Sequence, residues 1–162
     1  MLPPLLARAV DAWAAYYEAH RMVSVAVRWL HLAGLVVGAG TALVADRRVL
    51  VAWRGPHGAR EAALAELRRS HRVVFPALAV IVLTGLLMTA SDRGTFMGSR
   101  LYWGKLSLVA LLLVNGTGLL ALERAAQRDG ASVWRRLGIV SAASLVLWLV
   151  VLFFGVWLTA AA

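Results

Sequence analysis

Four long apolar stretches alternate with short polar ones along this chain. Residues 24–45, 73–90, 101–122 and 137–160 are almost free of charge. Each is close to the ~20 residues with which an α-helix, rising ~1.5 Å per residue, crosses ~30 Å of hydrocarbon. The pattern predicts an all-α fold: one integral membrane domain over residues 1–162, built as a four-helix bundle. Gly55-Pro56 breaks the chain after the first stretch. From Arg60 to Arg72 a helical period through Leu64, Leu67 and His71 runs into the second stretch, which predicts a cytoplasmic extension of helix two. Residues 5–19, carrying Trp13, Tyr16 and Tyr17, read as an N-terminal amphipathic helix lying at the membrane interface. Residues 1–20 lack the apolar core of a secretory signal and the first span is too long for one, so that span is expected to be retained.

Composition changes the picture by naming the solvent. Of 162 residues, 61% are hydrophobic and 15% charged, against about 45–50% and about 25% in soluble domains. The partner of most of this surface is therefore the lipid bilayer. The chain has no cysteine, which excludes disulfides, thiolate metal sites, iron–sulfur clusters and covalently attached c-type haem. The net charge of +9 does not point to nucleic acid, because the arginines are spread over the segments between spans. Arg47, Arg48, Arg54, Arg60, Arg68, Arg69 and Arg72 lie between spans one and two, and Arg124, Arg128, Arg135 and Arg136 between spans three and four. The other side has only Arg8, Arg21, Arg93 and Arg100. The positive-inside rule then places the two arginine-rich loops in the cytoplasm and both termini outside, in a multi-pass protein of the bacterial inner membrane. Trp29, Tyr102, Trp103 and Trp157 fall toward the outer interface and Trp53 and Trp134 toward the inner one, as aromatic belts do.

Against that background the few polar groups inside the spans carry the information, since a charge near a helix centre costs about 2.5–3.5 kcal/mol on insertion scales. Arg28, His31 and Lys105 stand out. Spans one and three run in the same direction, and His31 and Lys105 sit at similar depths below the outer edge, so they are expected to share one site. Arg28 and His31, three apart, continue on one helix face through Gly34 and Gly38. That face reads either as a small-residue packing stripe or as a groove for a flat porphyrin or quinone head. An embedded histidine is either hydrogen-bonded to a neighbouring helix or an axial ligand of haem iron, with Arg28, Lys105 or Arg100 facing the propionates. His71 lies at the other end of span two, about a membrane thickness from His31, which argues against a bis-histidine haem between them. A competing set is His20, Met22, Met88 and Met97, all near the outer face, whose imidazole and thioether groups suit copper(I). Pro76, Gly85, Asn115, Gly116 and Gly118 read as bends and inter-helix contacts. There is no nucleophile elbow, phosphate loop or HExxH motif.

The stretch WLHLAGLVVGAGTALVADRR, with His31, Gly40 and Arg47, and the stretch LYWGKLSLVALLL, with Lys105, resemble helices one and three of the HemJ-type protoporphyrinogen oxidases. That resemblance implies haem b on His31, catalysis by His31 and Lys105, and removal of electrons from a porphyrinogen. The tryptophan that this family carries before its helix-one glycine is absent, and Val114-Asn115-Gly116 stands where the family has a late histidine in helix three. The segment LRRSHRVVFPALAVIVLTGLLMTA, followed by Lys-Leu-Ser-Leu-Val, is similar to the membrane domain of the CopD copper-resistance family, which implies copper handling at the outer face. The expectation is a haem-b redox protein passing electrons to quinone or another membrane carrier. The alternatives are a copper-binding or copper-transport protein, or a subunit of a homo-oligomer or larger membrane complex.

Overall fold

The structure, a computed structural model, describes residues 3–126 and 131–161; Arg128 lies outside them. Among the described residues six helices follow one another: α1 (Pro4–Ala19), α2 (Arg21–Ala52), α3 (His57–Ser91), α4 (Arg93–Met97), α5 (Arg100–Ala126) and α6 (Ala131–Ala161). Four of them, α2, α3, α5 and α6, are long and apolar enough to cross a membrane. The all-α membrane bundle expected from the apolar stretches is therefore the observed architecture.

Each long helix overruns its predicted span at the arginine-rich end. α2 continues through Arg47 and Arg48 to Ala52, and α3 begins at His57, sixteen residues before its apolar stretch. At 35 residues, α3 is about 52 Å long and outreaches the hydrocarbon. What turns the chain between them is local. Pro56 in extended conformation starts α3, and Arg60 donates to the Trp53 carbonyl at 2.9 Å, placing a cation on the C-terminus of α2. The same guanidinium lies over the Trp134 ring of α6. Trp53 in turn fills the space left by Gly138 on α6.

The inward face of α2 is a regular stripe: Val27, Gly34, Gly38, Ala42, Ala45, Val49 and Ala52 are all buried. Steps of three and four keep one seam toward a partner helix, and small residues let that partner's backbone approach. α3 is the partner. A Cβ on Gly34 would stand 3.0 Å from Ile81 Cγ1, and one on Gly38 would stand 3.1 Å from Ala77 Cβ. The second face of α2 meets α6, where Gly38 also faces Trp148. α5 packs along α6, with Gly104 against Phe154 and Asn115 donating to the Val140 carbonyl at 3.2 Å. The inter-helix role expected for Asn115 is thus present. α3 and α5 are the least engaged neighbours around the bundle.

Polarity is inverted relative to a soluble domain. Val36, Leu83, Val114, Ile139, Leu149, Phe153 and Val156 point outward, whereas Asp46, Ser70, Thr84, Glu123, Ser141 and Ser144 are buried. Such an apolar exterior matches lipid, which makes this a multi-pass membrane protein. The N-terminal helix closes the end opposite the arginines. Trp13 of α1 donates to the Leu87 carbonyl of α3 at 2.9 Å, and Asp11 pairs with Arg93 of α4. α1 has the expected position in sequence, whereas α4, started by Asp92 accepting from the Thr95 amide, has no counterpart among the expected elements.

Candidate functional site

Two polar regions interrupt the apolar interior, one toward each end. The first is built on His31. Its Nδ1 lies 2.9 Å from Thr84 Oγ1 on α3. Thr84 has one hydroxyl proton, and its shortest contact, 2.6 Å, is to the Val80 carbonyl one turn back. The hydroxyl therefore donates to Val80 and accepts from His31 Nδ1–H. The imidazole is held as the tautomer whose Nε2 carries the lone pair. The ring packs beside Gly85, with His31 Cε1 3.5 Å from where a Cβ would stand, an ordinary van der Waals contact.

Lys105 reaches the same level from the other side of the bundle. Its Nζ lies where Gly155 of α6 has no side chain, 3.6 Å from the position of a Cβ there. Gly155 is seven residues beyond Trp148 on α6, and His31 is seven residues before Gly38 on α2. Trp148 and Gly38 touch, and the helices are antiparallel, so two turns along each bring Lys105 and His31 to one level. The shared depth read from the sequence is therefore realised.

The other residues grouped with His31 are disposed differently. Arg28 is exposed, because the buried stripe passes through Val27; a step of three from His31 leads off the seam and a step of four stays on it. Arg100 is also exposed, at the start of α5. Gly34 and Gly38 are filled by Ala77, Ile81 and Trp148, so that face is a packing stripe with no room for a macrocycle. The imidazole of His31 has the donor chemistry of a haem ligand, but the glycine groove has no room for the macrocycle and neither His31 nor Lys105 lines either pocket described here. His71 is thirteen residues from Thr84 on α3, about 20 Å from the His31 level. Of the copper set, Met22 and Met97 are exposed, Met88 is half-buried, and His20 stacks on Tyr16 with Nδ1 2.9 Å from the Tyr16 carbonyl. None of the four lines either pocket described here.

The second region escaped sequence reasoning. Glu123 of α5, only 4% exposed, faces α3, with Oε1 3.1 Å from Arg68 Nε and Oε2 3.1 Å from His71 Nδ1. Beside this cluster is a pocket of about 40 Å³ whose wall includes His71, Ser70, Ser144 and Asp46. Asp46 is 1% exposed, and neither carboxylate oxygen has a hydrogen-bond partner. Ser141 and Ser144 of α6 flank it, and Ser141 Oγ is equally unpartnered. The signal was present: Ala39 and Asp46 are seven apart on the α6-facing side of α2, and Ser141, Ser144 and Trp148 form a 3–4 stripe on the most apolar helix. Ending the span at residue 45 put Asp46 in a loop. A further open groove between α2 and α3 is lined by Arg47 and Arg48 with Val44 and Val51.

Comparison with protein-family models, with curated proteins and with solved structures finds no match to this chain.

Proposed function

We propose that the protein is a redox protein of the bacterial inner membrane, its arginine-rich end in the cytoplasm and both termini outside. In this reading His31 and Lys105 form a haem-b site that takes electrons from a quinol- or porphyrinogen-type donor and passes them to a membrane carrier. One observation carries it: His31 Nδ1 lies 2.9 Å from Thr84 Oγ1, whose own proton is engaged by the Val80 carbonyl, and Lys105 sits at the same level. His31 would hold the iron through Nε2 and Lys105 a propionate, and the bound group would supply one-electron chemistry. The residues of the chain do the rest. Thr84 fixes the ring orientation as outer hydrogen-bond partners of metal-bound imidazoles do. The Lys105 ammonium lies beside Gly155, 3.6 Å from where a Cβ would stand, and so packs on α6. Val114-Asn115-Gly116 stands where HemJ-type enzymes have their late helix-three histidine, and Asn115 there donates to the Val140 carbonyl, so a single protein ligand is the expectation. The short likenesses around His31, Gly40, Arg47 and Lys105 support the same reading.

The test is the absorption spectrum of detergent-purified protein expressed with haem precursor, air-oxidised and then dithionite-reduced. The expected result is a Soret band with sharpened α and β bands on reduction, lost in His31→Ala. A featureless spectrum, or a folded His31→Ala protein with the full spectrum, overturns the reading.

A further inference from the structure

Asp46 is the most anomalous side chain in the molecule. A carboxylate among lipid-facing helices is costly unless it is paired, hydrogen-bonded or neutral. Here both oxygens are buried without a partner at hydrogen-bond geometry. The charged groups packed around it do not neutralise it. On α2, Arg47 and Arg48 point outward, and Arg48 pairs with Glu66. On α3, Arg68 is engaged by Glu123, and Arg72 is exposed. On α5, Glu123 adds a second negative charge and Arg124 is exposed. α6 brings only Ser141 and Ser144, with Arg135 and Arg136 exposed further along. Glu123 thus holds both nearby basic groups, Arg68 and His71, each at 3.1 Å, and among the described residues no cation is paired with Asp46.

We infer that Asp46, with Ser141 and Ser144, is a proton-binding site, and that the pocket it shares with His71 connects it through Glu123 to the arginine-rich surface. The geometry favours a proton over a metal cation. Hard cations take about six oxygen ligands, whereas this site offers one carboxylate and two hydroxyls beside apolar walls. Among the described residues no group of three His, Asp or Glu side chains is placed to hold a metal. The pocket of about 40 Å³ is apolar except where Asp46, Ser70, His71 and Ser144 line it; these four supply the polar partners for about one to three waters leading from Asp46 toward His71. On release, the Asp46 O–H bond breaks and an N–H bond forms at His71 Nε2. His71 Nδ1 lies 3.1 Å from Glu123 Oε2 but off hydrogen-bond alignment, so a small turn of the ring is needed to bring Nδ1–H onto that carboxylate, where the Nδ1–H bond breaks and the Glu123 O–H bond forms. The ring is left with its proton on Nε2; turning over, it presents Nδ1 to the pocket and Nε2–H toward Glu123, so the next proton enters at Nδ1 and the one on Nε2 leaves. Glu123 gives the proton up beside Arg68, whose side chain is half-exposed. The site is about 22 Å along α2 from His31 and stands independently of what His31 binds.

The experiment is infrared difference spectroscopy on the full-length protein in lipid nanodiscs, titrated with pH and exchanged into D₂O. The expected result is a protonated-carboxyl C=O band that disappears as pH rises and is lost in Asp46→Asn. His71→Gln is expected to slow its deuterium exchange roughly tenfold or more, as loss of a positioned proton carrier does. Carboxyl-¹³C-aspartate labelling of the unmodified protein shifts the same band if it is an aspartic acid, so assignment survives a variant that fails to fold. A band unaffected by the aspartate label, or no such band at any pH, overturns the proposal. So does removal of the band by sodium at constant pH, which would make this an alkali-cation site. An unchanged exchange rate in folded His71→Gln overturns the route through His71.

Discussion

A single hydroxyl decides what His31 can do. The Thr84 Oγ1 proton goes to Val80, so the oxygen's lone pair faces His31 Nδ1 and the ring nitrogen pointing away is a base or a ligand. Thr84→Val keeps shape and removes the acceptor; Thr84→Ser keeps the acceptor. Inter-helix hydrogen bonds in membranes average about 0.6 kcal/mol, so the valine variant is expected to unfold within a few degrees of the parent. Its effect belongs to the ring. ¹⁵N spectra of histidine-labelled protein should show His31 as the Nδ1–H tautomer in the parent and the serine variant, and as a mixture in the valine variant. If haem is bound, its affinity should fall about 10–100-fold in Thr84→Val, as when other outer partners of metal ligands are removed. A valine variant with the parent's tautomer and affinity would remove Thr84 from the site. His31 and Lys105 were legible because polar groups deep in an apolar run are rare. Asp46 was not, because it opens an Asp-Arg-Arg triplet that reads as the polar end of a helix, and only the continued stripe through Val49 and Ala52 shows that the helix goes on. Arg28 misled for a related reason: three residues and four residues from His31 look alike in a sequence but are about 100° apart around a helix.

Between elements, contact is set by where side chains are missing. Each close approach has its glycine: Gly34 and Gly38 toward α3, Gly104 toward Phe154, Gly138 toward Trp53. These sites are not equivalent. A Cβ at Gly138 would stand 2.7 Å from Trp53 Cε3 and 3.0 Å from Cδ2. That ring is carried by the turn that Arg60 fastens to α6, so it has little freedom to withdraw. Gly138→Ala is therefore expected to destabilise by about 1–3 kcal/mol, the usual range for overpacking. Gly40 has nothing within 4 Å of its Cβ position, and Gly40→Ala should be neutral or stabilising by up to about 1 kcal/mol, since alanine restricts the unfolded chain and favours helix. Thermal unfolding of both variants in one detergent checks the contrast; equal midpoints would mean that the Trp53–Gly138 contact does not hold α2 to α6. At this scale the sequence was more legible. The Arg60–Arg72 period announced the long N-terminal arm of α3, and Trp13, Tyr16 and Tyr17 announced α1. The five residues of α4 were beyond reach, because one turn capped by Asp92 leaves no periodicity to read.

For the molecule as a whole, orientation controls the meaning of both polar regions. Arginine is concentrated at the end where α2 meets α3 and α5 meets α6, and the groove lined by Arg47 and Arg48 is open there beside Val44 and Val51. Basic groups bordering an apolar surface suit the anionic lipid headgroups of a cytoplasmic leaflet. Under that orientation the His31–Lys105 level faces the outside, and the Asp46–His71–Glu123 pocket discharges toward the cytoplasm. The lack of cysteine makes the point directly measurable, since any introduced thiol is the sole target of a maleimide. Thr95→Cys on α4 and His57→Cys at the start of α3 replace exposed residues at opposite ends of the bundle. In right-side-out vesicles an impermeant maleimide should label Thr95→Cys at once and His57→Cys only after permeabilisation. The opposite pattern would invert the topology against its arginine distribution, turning His31 toward the cytoplasm and the Asp46 exit outward. Labelling of both without permeabilisation would mean that the four apolar helices do not all span the membrane, and the bundle would then need a different relation to lipid.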